Sequence, residues 1–252
     1  MLGFNGGLMG VRRTPTGSAA SGLWFQNEQS VAKRAAIWPV TGGDPSFANV
    51  SLLLHMNGSN GSTTFTDSGP NARPVTRTGN VQISTAQSKF GGASALFDGS
   101  GDILSVLDYA DMEMTADFTI ECFAYPTVTT DKIIAGHGVQ NVQLFRINSG
   151  AVGNISVYLN DVVLSNTAAG ITANQWHHLA VSRTGSTTRV FVDGTQIGSS
   201  NTTWTGSFKF NLIGGMFGLD FQGYIDEFRV TKGVGRYNSA SFTVPTAAFP
   251  DF

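Results

Sequence analysis

Charge is what this chain has least of. Asp, Glu, Lys and Arg make up 13% of its 252 residues, against roughly 25% in ordinary soluble domains. The net charge of −2 gives no global pull toward nucleic acid or an acidic membrane surface, so neither partner is expected. Cysteine occurs once, at Cys122, which excludes an intrachain disulfide. That cysteine sits in the alternating stretch FTIECFAY (118–125) and reads as a buried small hydrophobe, with no base or positive cluster to make it a nucleophile. There is no uninterrupted apolar run of about 18 residues, so no membrane span is expected. The first residues, MLGFNGGLMGVRR, place their arginines after a glycine-broken apolar part. That is not a signal-peptide layout, and no secretory route is expected.

Recognisable catalytic patterns are missing too. No Cys/His group has metal-ligand spacing, and no glycine-rich loop stands ahead of a helix to cradle phosphate. A retaining glycosidase on a β-sheet needs carboxylates that converge on one sugar, and no Glu-x-Asp-x-Glu run occurs. Asp226 and Glu227 are adjacent, so on a regular strand they point to opposite faces. His177 and His178 diverge for the same reason, and His137 lies between two glycines in what reads as a loop. Neither a hydrolase nor a zinc site is expected, and the protein is read as non-enzymatic.

Glycine, by contrast, is abundant: 31 residues against eight prolines, the signature of a chain with many tight turns. The clearest example is WHHLAVSRTGSTTRVFVDG (176–194). Leu179 and Val181 alternate with His178 and Ala180, and Val190 and Val192 alternate with Phe191. Thr184-Gly185-Ser186 supplies a turn, and Asp193-Gly194 marks a second. The same style continues through SLLLHM (51–56), VQIS (81–84), SALFD (94–98), ILSV (103–106), KIIAG (132–136), VQLFRI (142–147), ISVYL (155–159), NDVVLSN (160–166), KFNLIGG (209–215) and QGYIDEFRVT (222–231). DYADMEM (108–114) reads as a connector with one helical turn. Ile225 and Phe228 are three apart, so a bulge at Asp226-Glu227 is expected if both face the core. Twelve to fourteen short strands at close spacing, with no 20–50-residue repeat, predict an all-β, two-sheet antiparallel sandwich.

Residues 1–46 are written differently. Arg12, Arg13, Lys33 and Arg34 outnumber Glu28 and Asp44 there, so this arm is mildly basic and the remainder more acidic. A short helix is predicted over about 27–37, capped by Asn27 and stopped by Pro39. Val31 lies on its small apolar face, and Trp24, Phe25, Ile37 and Trp38 bracket it. So short an arm cannot bury these groups alone. They need a surface, either the main domain or another chain. Gly42 to Ser46 is the expected linker, giving a docking arm over 1–46 and a sandwich over 47–252.

Four stretches resemble the laminin-G-like, or concanavalin A-like, jelly roll. They are LLLHMNGSNGSTTFTDSGPN (52–71), SKFGGASALFDGSGDILSV (88–106), DFTIECFAYPT (117–127), and WHHLAVSR with RVFVDG and GYIDEFRVTKGVGRY (176–237). Their wording resembles domains of tailed-bacteriophage virion proteins, and SGLWFQNEQSVAKRAAIWP (21–39) resembles a short leader of such proteins. The resemblance implies a virion structural protein, made in the host cytoplasm. It would dock on other virion proteins of capsid or tail through residues 1–46 and display its jelly roll as a tail-fibre, tail-tip or decoration component. By analogy it would be a homo-oligomer, a trimer most naturally. The resemblance also implies a calcium site; at the matching positions stand Asn57, Asp67 and Asp226. Asn57 stands where the family usually has aspartate, which removes a charge. The alternative function is a lectin-like module for host-surface glycans. Trp204, Phe217 and Tyr237 are then the candidate sugar platforms.

Overall fold

The computed structural model describes residues 13–16, 19–21, 43–107, 109–139, 141–148, 153–160, 162–201, 204 and 206–252. The chain divides into two units, residues 1–44 with Phe252, and 45–251. In the first, β1 (Arg13–Thr16) pairs antiparallel with β2 (Ala19–Ser21). The helix expected over 27–37 and the docking residues Trp24, Phe25, Val31, Ile37 and Trp38 lie outside the described residues.

The second unit is an all-β sandwich whose described residues hold two lone 3-10 turns and no α-helix. In chain order its strands are β3 (Val50–Leu54), β4 (Thr76–Thr78), β5 (Gln82–Ser84), β6 (Ser94–Asp98), β7 (Ile103–Ser105), β8 (Glu113–Met114), β9 (Phe118–Pro126) and β10 (Lys132–His137). They continue with β11 (Val142–Ile147), β12 (Asn154–Leu159), β13 (Val162–Ala168), β14 (His177–Thr184), β15 (Thr187–Val192), β16 (Thr195–Asn201), β17 (Phe208–Lys209), β18 (Leu212–Ile213) and β19 (Gln222–Lys232). One sheet has seven strands in the order β13-β12-β11-β10-β18-β7-β4. The other has eight: β16-β15-β14-β9-β19-β6-β5, with β3 also on β19.

Alternation explains both faces of the eight-stranded sheet. Opposite partners share a face, so Leu179 with Cys122 and Val181 with Ile120 point inward with Val190, Val192 and Val230. The Cys122 thiol is buried in this layer, and burial, helped by the nearby Glu121 charge, pushes its pKa up. Phe118, Phe208, Phe210 and Phe228 fill the space between the sheets. The 184–187 hairpin closes over Gly185 at φ +60, and the next over Asp193 and Gly194 at φ +49 and +76, the left-handed pair that a two-residue turn requires.

The expected bulge is present. β19 shifts register against β9 between Asp226 and Arg229, and Glu227 takes φ +50. The extra residue lets Ile225 and Phe228 both enter the core. Before the bulge β19 pairs with β6 and after it with β3, so one long strand serves two neighbours.

Several expectations change. KFNLIGG is not one strand: Phe208–Lys209 pairs with β8, and Leu212–Ile213 joins the seven-stranded sheet. His137 is not in a loop but ends β10, and is buried. β4 and β16 are strands that TRT and TQIGSSN do not announce, because neither alternates apolar residues. Each is an edge strand defined by its partner rather than by its own burial.

The outer face of the eight-stranded sheet is also buried. Residues 236–249 run across it. Arg236 N donates to Thr119 Oγ1 and Tyr237 N to Ser182 Oγ. The Tyr237 ring stacks on Phe242 at 3.6 Å, Phe242 meets Phe191 at 5.2 Å, and Phe249 joins Val50, Leu53 and Phe123 in a second apolar cluster.

Candidate functional site

Beneath that covering segment lies a charged group in the middle of an apolar strand. Glu121 is fully buried on β9. Its Oε1 accepts from Arg229 Nε at 3.0 Å and Nη2 at 2.7 Å. Its Oε2 accepts from Tyr237 Oη at 2.6 Å and lies 3.1 Å from His178 Nε2. Burial alone would raise the Glu121 pKa, but Arg229, His178 and Tyr237 outweigh it and hold it at about 2. The Tyr237 phenol is pushed up by its own burial and by Glu121. Tyr237 is therefore a lid residue fastened to the sheet, not a rim platform.

The rim proper is at the end of β3. Beyond Leu54 the chain turns through Met56, which is buried and held at φ +56, a conformation that costs a non-glycine residue about 1–2 kcal/mol. His55, Met56, Asn57, Phe65, Thr66 and Ser68 line a cavity of about 210 Å³ here. Asp67 stands between two of the lining residues, Thr66 and Ser68, and is buried. Oδ1 accepts from Leu53 N and Gly69 N, and Oδ2 from Arg73 N, each at 2.8 Å. Gly69 leaves room for this: a Cβ there would stand 2.9 Å from Asp67 Oδ1. His55 Nδ1 donates to both oxygens of buried Glu227 at 2.9 and 3.0 Å, and Phe249 N donates to Glu227 Oε2 at 2.8 Å. The hydrogen bond to Glu227 raises the His55 pKa despite partial burial.

Asp226 faces the outer side of the sheet, opposite Phe123, and so does Glu227, because the bulge that sends Ile225 and Phe228 both into the core overrides the divergence expected of a regular strand. Asp226 Oδ2 accepts from Lys89 N at 2.8 Å and Phe90 N at 3.0 Å. Its Oδ1 is buried with no partner among the described residues. Burial pushes the pKa up to about 7, against the pull of those two N–H groups. The same loop brings Gly91, at φ +66, so close to Asn57 that a Cβ there would overlap the Asn57 amide.

The three residues expected to hold calcium thus share a neighbourhood but not a cage. Asp67 spends both oxygens on backbone N–H groups, Asp226 spends one the same way, and Asn57 is exposed. Among the described residues no three His, Cys, Asp or Glu side chains are placed for a metal ion, whereas calcium needs six to eight oxygens. The donor set does not fit the ion.

The remaining sugar platforms separate. Trp204 is 5% exposed, set edge-on to Phe118 at 6.3 Å, with the Arg183 guanidinium 5.2 Å from its ring. It is a core residue, because a flat ring of that size completes the inter-sheet layer. Phe217 is 63% exposed at the tip of the turn closed by Leu219 N to Met216 O. From sequence, Glu227 entered only as half of an adjacent carboxylate pair and as part of the bulge, and neither His55 nor Glu121 stood out as a site residue. For Glu121 a signal existed: it is the one charged residue in the otherwise uncharged strand FTIECFAYP.

Comparison with known proteins agrees with this architecture. Residues 98–234, more than half of the chain, match Laminin_G_3, the concanavalin A-like lectin/glucanases superfamily. No curated protein matches the chain in sequence. Among solved structures it is similar to domain 4 of AbnA, a GH43 extracellular arabinanase from Geobacillus stearothermophilus, solved with arabinotriose. The identity is 20% and the TM-score 0.58, over 74% of this chain and 94% of that one. It is similar to the binding domain of Paraclostridial Mosquitocidal Protein 1 at 14% identity and TM-score 0.54, over 74% of this chain and 49% of that one. It is similar to a botulinum neurotoxin type C structure at 15% identity and TM-score 0.53, over 75% and 49%. The chain spans about half the length of both toxin chains, and at these identities the likeness is one of fold. By its matched residues and its two-sheet architecture, the chain belongs to the concanavalin A-like lectin/glucanases superfamily.

Proposed function

We propose that the jelly roll is a non-enzymatic recognition module for carbohydrate, with the rim cavity at the end of β3 as its sugar site. The observation that carries this reading is the lining of that cavity. Polar groups of His55, Asn57, Thr66 and Ser68 meet the apolar surface of Met56 and Phe65 in one concave site. Ligand sites combine the two surfaces in this way, and a sugar ring presents both hydroxyls and an apolar face. Two relatives in fold support the ligand class: the arabinanase domain was solved with arabinotriose, and cell entry of the type C neurotoxin depends on interaction with two ganglioside molecules. The carboxylates nearest the cavity, Asp67, Asp226 and Glu227, are bound to backbone N–H groups or to His55, which supports binding without chemistry. A glycan array probed with the full chain, with and without calcium, tests the reading. Binding that weakens about tenfold in Asn57→Ala is expected, as for loss of one good hydrogen bond. Silence across the array overturns it.

A second reading concerns residues 1–46. Their sequence, SGLWFQNEQSVAKRAAIWP above all, favours an arm that docks the protein on a bacteriophage particle, so that the jelly roll is displayed from capsid or tail. The two readings are compatible, since a displayed module can recognise host glycans. Deleting residues 1–40 should abolish incorporation into particles while leaving the sandwich folded. Normal incorporation of the truncated protein overturns the docking role.

A further inference from the structure

The two sheets meet again at their opposite edges, β13 and β16. Both edges are bulged. Val157 pairs with Ser165 and Tyr158 with Val163, leaving Leu164 as the extra residue. On the other side Val190 pairs with Ile197 and Thr188 with Asn201, with extra residues on β16 between them. Bulges re-aim side chains. Here the consequence is that Leu164 and Ser165, neighbours on one strand, are both buried. Leu164 joins the core, and Ser165 lines a groove of about 280 Å³ between the two edges.

Gly198 lets β16 approach the hydroxyls of β13 closely. It stands at φ +63, and a Cβ there would lie 2.8 Å from Thr167 Oγ1 and 3.5 Å from Ser165 Oγ. Any side chain at 198 would fill the space over those two hydroxyls. Ser165 is 6% exposed, and its Oγ has no hydrogen-bond partner among the described residues. A buried hydroxyl without a partner is destabilising, so its presence here needs a reason. Asn166 lines the same groove. Its Oδ1 accepts from Asn154 Nδ2 and Ser156 Oγ, each at 3.0 Å, which fixes the amide. Val163, 47% exposed, adds an apolar flank.

Among the described residues, no charged or aromatic side chain lines the groove. A phosphate, sulfate or carboxylate ligand would find no counter-charge there. An extended peptide would pair along one edge strand, and the bulges on both edges oppose that. A hydroxyl-rich neutral molecule matches the lining. The volume lies near the lower end of ligand pockets, roughly 300–1,000 Å³, and suits one or two rings.

We infer that the groove between β13 and β16 is a second carbohydrate site, which takes a neutral sugar through the hydroxyls of Ser165 and Thr167 beside the glycine at 198. The inference rests on the reading of the jelly roll as a carbohydrate module, and it is separate from the rim cavity. Binding should be insensitive to salt, because no ionic contact is involved.

The full chain and its variants Ser165→Ala, Gly198→Val and Asn57→Ala would be probed on an array of neutral oligosaccharides and their sialylated and sulfated counterparts, with extended peptides as a further arm. Thermal denaturation would accompany each variant. Ser165→Ala is the decisive change. It removes an unpartnered hydroxyl, so its melting temperature should equal or exceed that of the parent. At least one neutral sugar should nevertheless bind about tenfold more weakly, with Asn57→Ala leaving that sugar unaffected. Gly198→Val should abolish the same binding, and if it fails to fold, Ser165→Ala alone decides. Sugars bound by the parent with unchanged affinity in folded Ser165→Ala overturn the groove site while leaving the carbohydrate reading intact. Silence toward every sugar overturns both. Capture of peptides at this groove in place of sugar overturns the inference too.

Discussion

Replacing Glu121 by glutamine removes one charge and almost no volume from a fully buried polar network of the sandwich. The carboxylate is held at about 2 by its partners, against an ordinary value of 4.5. At about 1.4 kcal/mol for each pH unit, that difference contributes about 3 kcal/mol at pH 7. Loss of one member of a buried pair typically costs about 3–5 kcal/mol, which agrees. The sign follows from the depressed value. The contribution is complete above the unfolded value near 4.5 and is lost as pH falls through 2. At pH 3 less than half should remain, about 1.4 kcal/mol by the same relation. Urea denaturation of the parent and Glu121→Gln at pH 7 and pH 3 measures both. The expected gap is about 3 kcal/mol at neutral pH, shrinking by more than half at pH 3. A gap under about 1 kcal/mol at pH 7, the level of a surface ion pair, or one that does not change with pH, refutes the account of this network.

Two further predictions concern the rim and the turn at Phe217. Asp226 has the opposite sign: its folded pKa is raised to about 7, so the stability of its protonated form is full below about 3.8 and is lost as pH rises to 7. Asp226→Asn should therefore gain melting temperature relative to the parent as pH rises from 4 to 8, and a difference that stays flat sinks the idea. Phe217 and Gly218, at φ +56 and +76, form the centre of a left-handed turn. Phe217→Gly should then stabilise the fold by about 1 kcal/mol. A loss of stability would show that the exposed ring packs in a way the turn geometry does not account for.

Much of the sandwich is legible in the residues because burial writes a period of two. FTIECFAY and WHHLAVSR alternate so cleanly that the core face of β9 and β14 follows at once. The three-residue spacing of Ile225 and Phe228 is enough to require the bulge if both enter the core. Legibility fails where a strand is defined by its partner. TQIGSSN becomes β16 only because β15 offers it an edge, and Lys209 to Ile213 splits between two pairings only because β8 and β10 compete for it. Trp204 shows a related limit. An aromatic in a loop can be platform or core, and only the packed Phe118 and Phe208 rings decide.

By itself, the sequence determined the fold class and the inner face of each long strand, since hydrophobic alternation is local and survives without knowledge of neighbours. The divergence that a regular strand would give Asp226 and Glu227 does not survive, since the bulge turns both to the outer side. Tertiary structure alone decided the destination of the charges and hydroxyls. Residues 236–249 seal the outer face, bringing Tyr237 to the Glu121 pair that β9, β14 and β19 assemble. β13 and β16 come together at their edges and enclose Ser165. These pairings join residues far apart in the chain, and a buried polar group shows its purpose only when its partner, or the lack of one, is in view.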